Sequence, residues 1–246
     1  MINEVHHGDC LEIMKNIPDG SVDMILCDLP YGTTQCKWDT IIPLEFLWEE
    51  YRRVAKRNAP MVFTAAQPFT SVLISSNLKE FKYNWDWEKS KATGYLNAKK
   101  MPMRAHEDVC VFYRKPPVYN PQMWESTPYN KGSAHRPTEV YGKQKEVLVK
   151  NDTGLRYPRT VQYFKTAESE GKVYHPTQKP ISLFKYLIET YTEEGDIVLD
   201  SCLGAGTTAL AALNCNRGFI GIELDQEYVN ISKERIKELK IKLDHP

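Results

Sequence analysis

The chain has 246 residues, of which 41% are hydrophobic and 26% charged, a composition that suits one large α/β domain or one domain with a substantial insertion. No apolar run approaches a membrane span, and the N-terminus lacks the charged segment and apolar core of a secretion signal, so no membrane partner and a cytoplasmic protein are expected. Basic and acidic residues balance at 32 each, yet residues 86–185 hold 18 lysines and arginines against 10 acids, the footprint of a polyanion-binding face on an acidic scaffold.

In chain order, Glu4 to His7 reads as a strand, and Gly8-Asp9-Cys10 turns it into an amphipathic helix carrying Leu11, Ile13, Met14 and Ile17, closed by Pro18-Asp19-Gly20. The nearly continuous apolar run Val22 to Cys27 reads as a buried parallel strand that ends at Asp28. A polar loop, Thr33 to Thr40 with Trp38, leads to a helix on which Leu44, Leu47, Trp48, Tyr51, Val54 and Ala55 recur at helical spacing, and Met61 to Ala65 is the next strand. Strand, helix, strand is the unit of a parallel sheet. Tyr83 to Glu88 and Asp108 to Arg114 read as further strands, separated by a polar, lysine-rich loop from Lys89 to Met103.

From Lys115 to Tyr174 periodicity fades, and aromatic residues alternate with cations: Tyr119, Trp124, Tyr129, Arg136, Tyr141, Lys143, Lys145, Arg156 and Arg159. A structureless loop of that length is implausible inside a compact domain, so residues 115–174 are expected to form an inserted lobe within a domain made of 1–114 and 175–246. Regular structure resumes with a helix after Pro180, the strand Ile197 to Leu199, a helix Thr207 to Asn216, the strand Phe219 to Ile222 and a closing helix from Gln226 to about Leu243.

Two stretches carry chemistry. Asp28-Leu29-Pro30-Tyr31 puts a carboxylate, a stiff turn and an aromatic ring at a strand's carboxyl end, where open α/β sheets bind ligands. Helix capping and ordinary turn formation compete with a functional role there. Asp200-Ser201-Cys202-Leu203-Gly204-Ala205-Gly206-Thr207-Thr208 is a strand, a glycine turn and a helix start, and Glu223 ends the following strand, placed for ribose hydroxyls. Its Gly204-x-Gly206-x-x-Ala209 spacing also matches the dinucleotide fingerprint, which keeps a nicotinamide enzyme open, although only one helix follows Glu223. The missing lysine before Thr207 argues against a P-loop. The six cysteines form no Cys-x-x-Cys pair and no metal site is expected. An amine-handling turn beside an adenosine site on one sheet edge is the geometry of methyl transfer to nitrogen.

With these motifs the chain resembles the DNA amino-methyltransferases that modify adenine N6 or cytosine N4, in the order of their β group. The family's Asp-Pro-Pro-Tyr corresponds to Asp28–Tyr31, its Asp-Pro-Phe-x-Gly-Ser-Gly-Thr-Thr to Asp200–Thr208, and His175-Pro176-Thr177-Gln178-Lys179-Pro180 stands unaltered. Leu29 replaces a proline, Ser201-Cys202 replaces Pro-Phe, and Ala205 replaces a serine. The resemblance implies a doubly wound, mostly parallel Rossmann-like methyltransferase fold of permuted order, with the lobe as target recogniser and S-adenosylmethionine as cofactor. It further implies that Asp28, Leu29, Pro30 and Tyr31 act on a flipped base, the acid and the Leu29 carbonyl accepting from its amine. Cofactor contacts are implied for Asp9, Cys10, His175, Thr177, Gln178, Lys179, Asp200, Cys202, Leu203, Gly204, Ala205, Gly206, Thr207, Thr208 and Glu223. His175 has a helix-entry role as its rival, and His106 and Glu107 either line the pocket or brace the loop. Adenine N6 is the expected target, because the family's cytosine enzymes tend to carry serine at the position of Asp28. Cytosine N4, an RNA or protein amide, and an inactive DNA-binding subunit are the alternatives. Double-stranded DNA is the expected partner; a separate restriction endonuclease and a homodimer stay open.

Overall fold

The computed structural model describes residues 1–33, 39–134 and 147–244, so Cys36, Trp38, Arg136, Tyr141, Lys143 and Lys145 lie outside the described residues. In chain order the main elements are β1 Glu4–His7, α1 Cys10–Met14, β2 Met24–Asp28, α2 Leu44–Val54, β3 Met61–Ala65, α3 Phe69–Ser76, β4 Phe81–Thr93 and β5 Arg104–Phe112. They continue with β6 Trp124–Glu125, β7 Tyr129–Ala134, β8 Val147–Asn151, β9 Leu155–Arg156, β10 Val161–Phe164, α4 Ile181–Tyr191, β11 Ile197–Asp200, α5 Thr207–Asn214, β12 Gly218–Glu223 and α6 Gln226–Asp244.

Eight described strands form one sheet in the order β1-β12-β11-β2-β3-β5-β4-β10. Every neighbouring pair is parallel except those made by β5, which runs against β3 and β4. Side chains alternate across a strand, so β2 sends Met24 and Leu26 into the core under α4, α5 and α6, and Ile25 and Cys27 into the core under α1, α2 and α3. Both faces are covered, which is why its sequence is continuously apolar. The doubly wound fold expected from the sequence is therefore the one found.

The topology also sets the ligand edge. From β11 the chain crosses through α5 to β12 on one side, while from β2 it crosses through α2 to β3 on the other. β11 and β2 are adjacent and parallel, so their following loops diverge and leave a crevice, the switch point at which open α/β sheets bind. Asp200 and Asp28 end those two strands.

Several elements differ from the sequence reading. α1 closes at Met14, and α5 at Asn214, two residues early, because Asn216 takes a left-handed φ of 58°. α3 was not expected: its sequence, Phe-Thr-Ser-Val-Leu-Ile-Ser-Ser, is β-branched and lacks charge, and burial of Phe69, Thr70 and Leu73 rather than propensity makes it helical. β4 runs on to Thr93, and with β5 it carries a ribbon beyond the end of β3, where Ala65 pairs with Asp108 and Thr93 with Arg104. The lysine-rich loop is therefore a hairpin tip, with Leu96 96% exposed.

The inserted unit is also smaller than 115–174. Pro121–Arg159 forms a compact body of its own, and the chain on either side belongs to the main one. Within Pro121–Arg159, β6 pairs with β9 and β7 with β8, both antiparallel. β10 instead joins β4 at the edge of the large sheet, because its alternation of exposed and half-buried residues suits an edge strand. No helix among the described residues is long and apolar enough to cross a membrane.

Candidate active site

A cavity of about 390 Å³ opens at the switch point, within the range of small-molecule sites. The turn after β2, the segment before α4, the glycine turn after β11, the end of β12 and the start of α1 line it. Of the residues singled out in the sequence, Asp9, Cys10, Asp28, Leu29, Pro30, Tyr31, His175, Thr177, Gln178, Lys179, Asp200, Cys202, Leu203, Gly204, Ala205, Thr207, Thr208 and Glu223 all border it. Gly206 does not: at φ 91° it faces α6, and a Cβ there would stand 3.0 Å from Ser232 Cβ. Its glycine answers to helix packing and backbone conformation rather than to ligand approach.

Asp28 is held from three sides. Oδ1 accepts the Tyr31 hydroxyl at 2.8 Å and the hydroxyl of Thr64, its register partner on β3. Oδ2 accepts Nζ of Lys179 at 2.7 Å. Burial alone would depress the Lys179 pKa, but the carboxylates of Asp28 and Glu107 outweigh it and raise it, so the ammonium stays charged. The cofactor role expected for Lys179 thus meets a different contact: its charge is engaged by the Asp28 turn. Tyr31 lies against Phe69 of α3, and the burial of its hydroxyl, reinforced by Asp28 and Glu107, pushes its pKa well up. Asp39, itself buried, accepts the backbone N–H of Gly32 at 2.8 Å and of Thr33 at 2.9 Å, which braces the turn from behind.

On the opposite wall, Glu223 Oε2 accepts the N–H of Gly204 at 2.7 Å and Oε1 that of Asp225 at 2.8 Å. Burial raises its pKa. A carboxylate has about four acceptor positions, so the backbone donors leave acceptor capacity for a hydroxyl of a ligand. A Cβ on Gly204 would meet nothing closer than His175 Cδ2 at 4.0 Å, which makes the turn an open cradle at that residue. These features fit an adenosine-bearing ligand.

Other expected contacts are engaged within the protein. Asp200 is 2% exposed; Oδ1 accepts the Cys202 N–H at 3.0 Å and Oδ2 the Thr208 hydroxyl. Burial pushes its pKa up to about 6. It organises the glycine turn. Thr207 donates to the Lys179 carbonyl at 3.4 Å. Asp9 caps α1 by accepting the Leu11 N–H at 2.8 Å. His175 Nδ1 lies 3.3 Å from the Thr177 N–H, its ring lies 4.5 Å from that of Tyr228, and Gln178 Oε1 accepts the Tyr174 N–H at 3.0 Å. The segment from His175 to Lys179 is thereby a self-braced turn, in keeping with the helix-entry role of the histidine. Burial lowers the His175 pKa.

Thr64, Phe69, Asp39 and Tyr228 escaped the sequence reading. None sits in a motif, and only Thr64 carried a signal, a hydroxyl inside an otherwise apolar strand at the level of Asp28.

A family model described as a DNA methylase, for N6 and N4 enzymes, matches residues 22–234. The type II methyltransferase M.HindIII of Haemophilus influenzae is 26% identical over 96% of this chain and 96% of its own. The DNA adenine methyltransferase YhdJ of Escherichia coli is 30% identical over 94% of this chain and 81% of its own. Among solved structures, the M1.HpyAVI–SAM complex superposes with a TM-score of 0.64 at 27% identity, covering 94% of this chain and 98% of that one. The cytosine-N4-specific PvuII DNA methyltransferase, at 17% identity and a TM-score of 0.63, shares the fold. Spanning most of the chain and joining both walls of the cavity, the match means that this protein belongs to the N6/N4 DNA amino-methyltransferases.

Proposed function

We propose that the chain methylates the N6 amine of adenine in double-stranded DNA, with S-adenosylmethionine as the methyl donor and the base turned out of the helix. The observation that carries this is the Asp28 carboxylate, set in one cavity with the Gly204 cradle and Glu223. When bound, the cofactor supplies an electrophilic methyl group on a sulfonium sulfur.

An exocyclic amine is a poor nucleophile because its lone pair is delocalised into the ring, and in a duplex it is out of reach. Extruding the base costs roughly a few kcal/mol. Tyr31 offers a ring for it to stack on, worth about 1–3 kcal/mol. The Asp28 carboxylate and the Leu29 carbonyl accept the two amine hydrogens, turn the nitrogen toward tetrahedral geometry and leave its lone pair free. As positive charge grows on that nitrogen, Asp28 is the nearest acceptor for the proton it must lose. Glu223 holds ribose hydroxyls, and the backbone of Leu203, Gly204 and Ala205 approaches the rest of the cofactor, with Cys10 and Cys202 against its flat parts.

Adenine is favoured by the aspartate at position 28, where the cytosine enzymes of the family tend to carry serine, and by the 30% identity to a DNA adenine methyltransferase. For DNA, the end of β4 offers Lys91 and the tip between β4 and β5 offers Lys99 and Lys100 beside the exposed Tyr95 and Leu96. In the unit Pro121–Arg159, Arg156 lies 4.6 Å over Tyr129 and Arg159 5.9 Å over Trp124. Cation-flanked aromatic rings suit nucleic acid, and this unit is the proposed target-recognition lobe. A restriction endonuclease acting with it would be a separate chain.

The test is transfer of tritiated methyl from S-adenosylmethionine to unmethylated bacterial DNA, followed by nucleoside analysis. Label in N6-methyladenine is expected. Label in N4-methylcytosine would overturn the choice of base, and no label would overturn the activity.

A further inference from the structure

Four charged side chains form a row at the turn after β2, the two lysines buried and the two acids half-buried: Asp28 at the end of β2, Lys179 before α4, Glu107 on β5 and Lys89 on β4. Lys179 Nζ is 2.7 Å from Asp28 Oδ2 and 3.6 Å from Glu107 Oε2. Glu107 Oε1 accepts Nζ of Lys89 at 3.1 Å, and Lys89 also donates to Thr93 Oγ1 at 3.2 Å. The lysine side chains are only 7% and 3% exposed. Two cations and two anions balance, and each is tolerated at that depth because it is paired.

Two features of the row are unequal. The Asp28 carboxylate, which must accept hydrogen bonds from the substrate amine, is largely engaged: two hydroxyls on Oδ1 and an ammonium on Oδ2 take three of its about four acceptor positions. With a cation seated on it, it is a weaker acceptor for a neutral amine. Glu107 Oε2 is the converse, a buried carboxylate oxygen with no hydrogen-bond partner. An anionic oxygen that has an ion-pair contact but no hydrogen bond gains by a closer donor, and the cation beside it is Lys179. Closing 3.6 Å to the ~2.8 Å of a charge-assisted hydrogen bond takes a movement of about 1 Å, well within the reach of a lysine side chain.

We propose that Lys179 is a placeholder for the substrate amine: it occupies Asp28 Oδ2 while the base site is empty, and passes to Glu107 Oε2 when the base enters. This rests on the assignment of Asp28 as the amine's acceptor. Lys89 and Thr93 fix Glu107 as the receiving group, so the ammonium is paired at both positions. Asp28 is then exposed at full strength only when an amine is there to use it, which couples activation of the acid to occupancy. Glu107 and Lys179 act as positioning residues.

The experiment is single-turnover methyl transfer to unmethylated bacterial DNA by wild type, Glu107→Gln, Lys179→Met and the double variant, with cofactor affinity measured in parallel by equilibrium dialysis. Glu107→Gln is expected to slow transfer roughly tenfold to a hundredfold at near-wild-type cofactor affinity. In the Lys179→Met background the same change should cost less than about twofold, because the cation it serves is gone. Glu107→Asp, which keeps the charge and withdraws it by one methylene, carries the same expectation should Glu107→Gln not fold. A wild type that methylates DNA while Glu107 variants keep pace, or losses that multiply in the double variant, would overturn the handover and leave the proposed function standing. A wild type that methylates no DNA would remove both.

Discussion

The rings of Tyr31 and Phe69 are stacked, with centroids 5.2 Å apart and planes 17° from parallel. One face of the tyrosine proposed to receive the flipped base is thus supported by a core residue that is only 1% exposed. On the ring, Lys179 Nζ stands 5.4 Å from the centroid. Phe69→Leu keeps the site apolar but removes three carbons and the flat platform. It should cost less stability than Phe69→Ala, for which about 3–5 kcal/mol is expected. Denaturant unfolding separates the two, and a drop in methyl-transfer rate for Phe69→Leu beyond its smaller stability loss is the expected sign that the platform orients Tyr31.

Asp28→Ala should lower the transfer rate by about 10² to 10³, by analogy with removing one positioned polar group. It also strips Lys179 of its nearest counter-ion, so a stability loss of up to a few kcal/mol is expected. Cofactor affinity, assigned by the proposal to Glu223 and the Gly204 turn on the other wall, should stay within about threefold. Rapid-quench transfer assays, thermal unfolding and equilibrium dialysis read the three quantities separately. Unchanged turnover would remove Asp28 from the mechanism.

Two glycines two residues apart should fail in different ways. A methyl on Gly206 meets Ser232 of α6 at 3.0–3.3 Å, with φ at 91°, so Gly206→Ala should lower Tm markedly. At Gly204 the added methyl enters open cavity at φ 53°, so Gly204→Ala should cost about 1 kcal/mol of stability and mainly weaken cofactor binding. Calorimetry beside a cofactor titration distinguishes them.

Asp200 gives a pH signature. Its carboxyl, at about 6 against an ordinary 3.8, favours the protonated form in the folded chain. Stability from this group is therefore fully present below pH 3.8 and is lost as pH rises through 6. About 2 kcal/mol of that loss falls between pH 4.5 and 7.5. The Tm of wild type minus that of Asp200→Asn should fall by roughly 4–8 °C over the same interval. A difference that is flat, or that rises with pH, would contradict the buried environment assigned to Asp200.

The strands β2, β3, β11 and β12 and helices α2, α4 and α6 were legible because apolar periodicity and turn residues are local properties, read within about ten residues. So was the pairing of an acid turn with a glycine turn on one sheet edge, because parallel strands place their carboxyl ends together. α3 was not legible, since a β-branched, uncharged segment becomes helical only when burial against the sheet decides it. Nor were the limits of the inserted unit, because β10 is recruited to the sheet by β4, a partner some 70 residues earlier.

By itself the sequence determined which chemical groups are present and that Asp28, Asp200 and Glu223 stand at strand ends. Tertiary structure alone decided what each group touches. Lys179 reaches Asp28 across 151 residues, Glu107 is brought behind it by an antiparallel strand, and Gly206 turns toward α6 instead of the cavity. The physical reason is that periodicity reports which face of an element is apolar, whereas the pairing of buried charges depends on which elements pack side by side.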